Sequence, residues 1–269
     1  MNKFKLVATD IDDTILPSGH KDFSLETKKM FADLKKANII TAFVTGRDLV
    51  TISNLIKSDS IDYFIGGNGC FIYSFLEQKI IYERILKNND LKKIIEFFLD
   101  RDTKFIVADK NFIYYSSNYD VQNSKFLKDH LHMVKTIDEF DYSSEVHIVT
   151  VIDQERNESE VQRSFVDFIN QNQLDAHISS RWSWGFFIVP KGVNKYNTLF
   201  KLAEMHNISN EEIIAFGDSQ NDIDMIANVG YGVAMGNGLK EVKAVAKAIA
   251  EPAIENGVYK KIKELQIIK

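Results

Sequence analysis

Asp10-Ile11-Asp12-Asp13-Thr14 follows directly on Phe4-Lys5-Leu6-Val7-Ala8-Thr9, and that junction decides the fold. The first run is short and apolar and reads as a buried strand. Three carboxylates at its end need a reason, because uncompensated carboxylates repel one another and resist desolvation. Two arrangements keep them: a turn that points them into water, or a site that binds a cation. The remainder of the chain has to choose.

Working outward, the pattern repeats. Pro17-Ser18-Gly19 closes a loop, and Ser24 is a candidate N-cap for a helix with Leu25, Phe31 and Leu34 at helical spacing. A strand over 39–44 runs into Thr45-Gly46-Arg47, and a helix over 49–57 leads to a strand at Tyr63-Phe64-Ile65 and to Gly66-Gly67-Asn68-Gly69. Alternating strands and helices predict parallel strands with right-handed crossovers.

After Asn68 the rhythm changes. Residues 71–73 and 80–82 read as a hairpin, followed by a helix over 90–100 and paired strands over 104–108 and 112–115. A weaker helix over 125–131, a polar acidic stretch 138–141, a strand over 146–152, a helix over 155–170 and two strands, 176–180 and 184–189, complete this region. Adjacent strand pairs with interspersed helices signal an α+β module. From Pro190-Lys191-Gly192, a natural linker, the parallel pattern returns: helix 195–206 with Asn194 as N-cap, strand 213–216, then Gly217-Asp218-Ser219-Gln220-Asn221-Asp222. Strand 232–235, helix 240–246, short strand 248–250 and helix 259–264 follow. The expected architecture is α/β: a Rossmann-like parallel-sheet core over 1–81 and 188–269, with an inserted α+β cap domain over 82–187.

Composition narrows the function. At 269 residues, 45% hydrophobic and 26% charged, the chain has the make-up of an ordinary soluble globular protein able to bury a full core. A net charge of -5 argues against general nucleic-acid binding, which needs a basic footprint. The single cysteine, Cys70, excludes an internal disulfide and a cysteine-rich zinc site. With no apolar run of membrane-spanning length and a strand beginning within a few residues of the N-terminus, a cytoplasmic protein without membrane partners is expected.

Ligands of open parallel sheets sit beyond the carboxyl ends of the strands. Four polar clusters fall there: Asp10 to Thr14, Thr45-Gly46-Arg47, Asn68, and Asp218 to Asp222. If Asp10 and Asp218 end neighbouring strands, their carboxylates converge, and convergent oxygens with open positions suit Mg²⁺. Asp10 and Asp12 can do different jobs if the chain bends between them, one as nucleophile and the other as general acid and base. Thr45 offers a hydroxyl, Gly46 an unobstructed amide, and Lys195 a point charge at a helix start, all suited to phosphate.

These stretches, in this order, resemble the four motifs of the haloacid dehalogenase superfamily of phosphatases: Asp10 to Thr14, Thr45-Gly46-Arg47, Lys195, and Gly217 to Asp222. The insertion, with Gly67-Asn68-Gly69 before it and Pro190 to Lys195 after it, is similar to the Cof-type subfamily with a large α/β cap, as are Gly232 to Asn237 and Glu255-Asn256-Gly257-Val258. The resemblance implies that Asp10 attacks phosphorus to give an aspartyl-phosphate, while Asp12 protonates the leaving alcohol and then activates water. It implies Mg²⁺ on the Asp10 and Asp218 carboxylates and the Asp12 backbone carbonyl. Phosphate would be held by Thr45, the Gly46 and Ile11 amides, Lys195 and Asn221, with Asp222 behind them orienting Lys195 or a metal-bound water. Asp13 stands where glycine is commoner, Tyr196 where glycine usually follows the lysine, and Gly238 where alanine is usual. A cap is expected to close over the core during turnover, favouring small substrates.

Some residues keep two readings. Arg47 can contact a substrate anion or pair with a nearby acid, and Asn68 can bond a substrate or serve turn chemistry. Arg181, Trp182 and Trp184 can pack or form a platform for substrate. Cys70 and His147 read as structural. The expected function is a Mg²⁺-dependent phosphatase for a small phosphorylated metabolite of the sugar phosphate, nucleotide or pyridoxal phosphate type, acting as a monomer or weak homodimer. The alternatives are a phosphometabolite-binding protein or a phosphomutase on the same scaffold.

Overall fold

A computed structural model describes residues 3–52, 61–124, 127, 130–153, 159–182 and 184–268. The chain divides into two compact units: Met1–Gly46 with Asn54–Glu83 and Asn194–Lys269, and Arg47–Ser53 with Arg84–Val193. Against the expected insertion over 82–187, the second unit runs on to Val193 and takes Arg47–Ser53 with it.

The first unit begins with β1 (Leu6–Thr9), whose four residues are all buried. Helix α1 (Leu25–Lys36) starts where the Ser24 side chain accepts from the Thr27 amide, and buries Met30, Phe31 and Leu34. Strand β2 (Ile40–Val44) follows. Helix α2 is described over Leu49–Ile52 and belongs to the second unit; the rest of the expected helix 49–57 lies outside the described residues. Strand β3 (Tyr63–Gly66) returns to the first unit and is followed by the hairpin β4 (Phe71–Ser74) and β5 (Lys79–Glu83).

The second unit continues with α3 (Asn88–Leu99), β6 (Lys104–Ala108), β7 (Ile113–Tyr115), β8 (Val134–Thr136), β9 (Val149–Ile152), α4 (Glu160–Asn172), β10 (Ala176–Trp182) and β11 (Gly185–Pro190). Its sheet runs β10-β11-β9-β6-β7-β8, antiparallel except for the parallel pair β7 and β8. Helices α3 and α4 lay Phe97, Phe98 and Phe165 on Phe105, Val151 and Phe186, an aromatic core of its own. The expected helix over 125–131 falls partly outside the described residues. Strand β8, with no fully buried residue, was not expected because nothing in it alternates. The first part of the expected helix 155–170, 155–158, is likewise outside the described residues. The helix runs two residues further, to Asn172, before Gln173 turns left-handed.

The first unit resumes with α5 (Lys195–Met205), β12 (Ile213–Gly217), α6 (Ile223–Asn228), β13 (Tyr231–Ala234), α7 (Lys240–Val245), β14 (Ala248–Ile249) and α8 (Gly257–Glu264). Its sheet has the order β14-β13-β12-β1-β2-β3-β4-β5. The six strands from β14 to β3 are parallel, and the hairpin adds two antiparallel strands at one edge. The chain order reverses at β1, which lies between β2 and β12, and in open parallel sheets ligands bind beyond the carboxyl ends at such a point. Among the described residues, no helix is long and apolar enough to cross a membrane.

Candidate active site

Strand register brings the acidic motifs together. Ala8 lies opposite Ala215 and Thr9 opposite Phe216, so Asp10 and Asp218 leave adjacent parallel strands side by side. The Asp10 amide donates to the Phe216 carbonyl at 3.0 Å, continuing the ladder one residue past β1. After Asp10 the chain turns sharply: the Ile11 carbonyl accepts from the Ile15 and Leu16 amides at 3.0 and 2.9 Å. Ile11 itself is fully buried and anchors the turn. Asp13 sits in it with φ 57°, a left-handed conformation that glycine adopts freely. Its carboxylate accepts from the Ser18 amide at 2.9 Å, and its carbonyl from Asn237 Nδ2 at 2.7 Å. That backbone requirement accounts for glycine being the commoner residue there.

Lys195, at the first turn of α5, has a side chain with no exposed surface. Its Nζ donates to Asp10 Oδ1 at 2.7 Å and to Asp222 Oδ1 at 2.6 Å. An ammonium buried alone would cost far more than a fold can spare, so these two carboxylates are what keep it charged. Burial pulls its pKa down, and the charges of Asp10 and Asp222 outweigh that and raise it above the ordinary lysine value. Asp222 spends its second oxygen on the Asp218 and Ser219 amides, both at 3.0 Å. It therefore acts as a bracket, holding Lys195 with one oxygen and the β12 turn with the other.

Asp10, Asp218 and Asp222 each place a carboxylate oxygen within 4.8 Å of the others, and all three are buried. One lysine cannot neutralise three such groups. Burial pushes Asp10 well above the usual carboxylate range; Lys195 pulls against this, while Asp222, Asp218 and Asp12 add to it. Burial, then the charge of Asp222, raises Asp218 to about 7 despite the Thr14 hydrogen bond and Lys195. Thr14, fully folded into the turn, donates to Asp218 Oδ1 at 2.6 Å. Sequence reasoning missed this contact, since no local pattern signals a bond across 204 residues.

The donor set fits a hard divalent cation. Asp10 Oδ1 is taken by Lys195 and Asp218 Oδ1 by Thr14, whereas among the described residues the Oδ2 atoms of both make no hydrogen bond. Two oxygens from neighbouring strand ends, in a cluster short of positive charge, are the ligand type that Mg²⁺ prefers. Asp12 is different: its side chain is exposed and stands outside the carboxylate cluster, as an acid and base separate from a cation would have to.

Polar groups around this cluster are suited to an anion. Thr45 is buried at the end of β2, with its amide bonded to the Ile65 carbonyl and its carbonyl to the Asn68 amide, both at 3.0 Å. Among the described residues the Ile11 and Gly46 amides donate to no protein acceptor. Asn221 Nδ2 donates to Asn68 Oδ1 at 2.9 Å, and Asn221 Oδ1 accepts from the Ser219 hydroxyl at 2.7 Å. Asn68 is buried with φ 57°, so turn chemistry and a polar contact coincide in it.

Arg47 belongs to the second unit, where its guanidinium donates to the Thr51 carbonyl at 3.2 Å and closes the first turn of α2. In the same unit Arg181 pairs with Asp153 at 3.4 Å and bonds Gln162, and Trp182 stacks on Phe187 with centroids 5.9 Å apart. Trp184 is about half exposed. Cys70 and His147 are buried, as expected of structural residues. Tyr196 stacks on Phe200 and packs on the core. At Gly238 a Cβ would lie 3.0 Å from the Asp218 backbone, so the absent side chain leaves that turn undisturbed.

The sequence model of the haloacid dehalogenase-like hydrolases matches residues 7–262. The chain belongs to this family. Among curated relatives, the 5-amino-6-(5-phospho-D-ribitylamino)uracil phosphatase YcsE of Bacillus subtilis is 26% identical over 261 residues, covering 96% of this chain and 94% of that protein. The phosphatase YwpJ of the same organism is 25% identical over 285 residues, covering 97% and 99%. The solved structure of a haloacid dehalogenase subclass IIB sugar phosphatase, BT4131, is similar with a TM-score of 0.81 at 25% identity, covering 98% of this chain and 100% of that one. The expected α/β fold and the expected phosphatase of this superfamily agree with all of them.

Proposed function

We propose that the protein is a Mg²⁺-dependent phosphatase that hydrolyses phosphomonoesters of small metabolites through an aspartyl-phosphate on Asp10. One observation carries the reading: among the described residues, Asp10 and Asp218 each keep a carboxylate oxygen clear of protein hydrogen bonds, in a buried acidic triad bonded by a single lysine. The Asp10 and Asp218 carboxylates and the Asp12 backbone carbonyl would hold the cation. When bound, it supplies positive charge that offsets the phosphoryl oxygens.

In this reading the Thr45 hydroxyl, the Ile11 and Gly46 amides, Lys195 and Asn221 bind the phosphoryl oxygens. Asp10 attacks phosphorus as the bond to the ester oxygen breaks, and Asp12 gives that oxygen its proton. Asp12, now a carboxylate, takes a proton from water as the water attacks phosphorus and the bond to Asp10 breaks. Lys195 orients Asp10 and pulls against the burial that raises its pKa, and Asp222 fixes Lys195. Relatives that act on a ribitylaminouracil phosphate and on sugar phosphates support a small phosphorylated metabolite, of the sugar phosphate, nucleotide or pyridoxal phosphate type, as substrate.

The test is hydrolysis of p-nitrophenyl phosphate with Mg²⁺. Asp10→Asn abolishes it, and EDTA abolishes it until Mg²⁺ is restored in excess. Hydrolysis that persists in either case refutes the mechanism.

A further inference from the structure

Three loops from three different strands meet at one carboxamide. The Asn221 side chain is held at both ends: its oxygen accepts from the Ser219 hydroxyl at 2.7 Å, and its nitrogen donates to Asn68 Oδ1 at 2.9 Å. A carboxamide nitrogen has two hydrogens, and among the described residues Asn221 makes no second donation. Asn221 is half-buried. Asn68, by contrast, is 1% exposed.

Asn68 is itself locked. Its amide donates to the Thr45 carbonyl at 3.0 Å, and its left-handed backbone, φ 57°, is one that asparagine tolerates better than most residues. A Cβ on Gly46 would lie 3.1 Å from Asn68 Oδ1 and 3.7 Å from Asn221 Nδ2. Residue 46 therefore leaves room for this pair as well as presenting an amide.

We propose that Asn68 is a positioning residue: its side-chain carbonyl fixes the Asn221 carboxamide, leaving the second Asn221 N–H as the donor to phosphate, and Asn68 does not touch the substrate. This rests on the phosphatase reading of the site. The chain from Thr45 through Asn68 to Asn221 then ties the loop after β2 to the loop after β12, so two groups proposed to bind phosphate are set by one residue on a third loop.

A double-mutant cycle tests it, with competitive inhibition by inorganic phosphate and KM for p-nitrophenyl phosphate as readouts. Asn221→Ala removes the donor. Asn68→Gly removes the carbonyl and keeps the left-handed backbone at no steric cost. Loss of one hydrogen bond to a charged group weakens phosphate by about tenfold or more in Asn221→Ala, and Asn68→Gly weakens it in the same direction. The double variant binds phosphate as Asn221→Ala does, within about twofold, because a residue acting only through Asn221 has nothing left to lose.

Multiplicative losses in the double variant, or unaltered phosphate inhibition in Asn68→Gly, overturn the proposal while leaving the phosphatase reading intact. A wild-type protein that neither hydrolyses p-nitrophenyl phosphate nor is protected from heat by phosphate overturns that reading, and the proposal with it. Asn68→Ala, which removes the same carbonyl, repeats the cycle if the glycine variant melts early.

Discussion

Replacing Lys195 by methionine removes, among the described residues, the only side-chain cation bonding the buried triad, at nearly constant volume. In the wild type its Nζ lies 2.7 Å from Asp10 and 2.6 Å from Asp222, with no solvent on any of the three side chains beyond a trace at Asp10. Taking one partner out of a buried ionic cluster costs roughly 3–5 kcal/mol, because the charge left behind is uncompensated. For a domain of this size that is a fall in Tm of about 6–20 °C, at roughly 2–4 °C per kcal/mol. The sign of its pH dependence is also set. Asp10 already sits above its ordinary value of 3.8 through burial, and losing the pull of Lys195 raises it further. The folded variant then holds more protons than the unfolded chain, so its stability falls as pH rises upward from that ordinary value. Melting followed by circular dichroism, without metal, at pH 5 and pH 8 measures both effects. The deficit relative to wild type is larger at pH 8, and phosphatase activity is lost at both. A variant that melts within about 2 °C of wild type at pH 8, or whose deficit is larger at pH 5, refutes the electrostatic account.

The site was legible in sequence to the extent that strand ends were. Leu6 to Thr9 and Ile213 to Gly217 are apolar runs that stop abruptly at aspartate, and a parallel sheet puts such ends on one side. What brings Asp10 and Asp218 into contact is the pairing of β1 with β12, and no local pattern encodes a register between strands some 200 residues apart. The same reason hides Thr14, whose partner Asp218 exists only once that register is set. Asp13 did leave a trace: a departure from glycine in a turn marks a left-handed backbone, and the structure has φ 57° there. Asn68 keeps both readings, turn or ligand, in the sequence; its left-handed backbone fits the turn, and its bond to Asn221 spans 153 residues, which no local pattern signals. Arg47 is adjacent in sequence to Gly46, and the boundary between the two units, which no local pattern signals, falls between them.

Two further outcomes follow from the same geometry. Asp13→Gly relieves a left-handed conformation but gives up the bond from the Ser18 amide, so stability changes by no more than about 1 kcal/mol and activity is retained. A tenfold loss of p-nitrophenyl phosphate turnover would give the Asp13 carboxylate a role that nothing in the structure assigns. The other concerns Asp218, raised to about 7 by burial and the charge of Asp222. A carboxyl group raised in the folded state stabilises the metal-free protein as pH falls through that value, and withdraws that stability as pH rises. Mg²⁺ must displace the proton, so its apparent affinity weakens by about tenfold for each unit below pH 7 and levels off above it. Thermal shift titrations with MgCl₂ at pH 6, 7 and 8 read this directly, since a cation that binds only the folded protein raises Tm according to its occupancy. Equal affinity at pH 6 and pH 8 would mean that the cation does not compete for the Asp218 proton, and the carboxylate would have to be removed from the proposed ligand set.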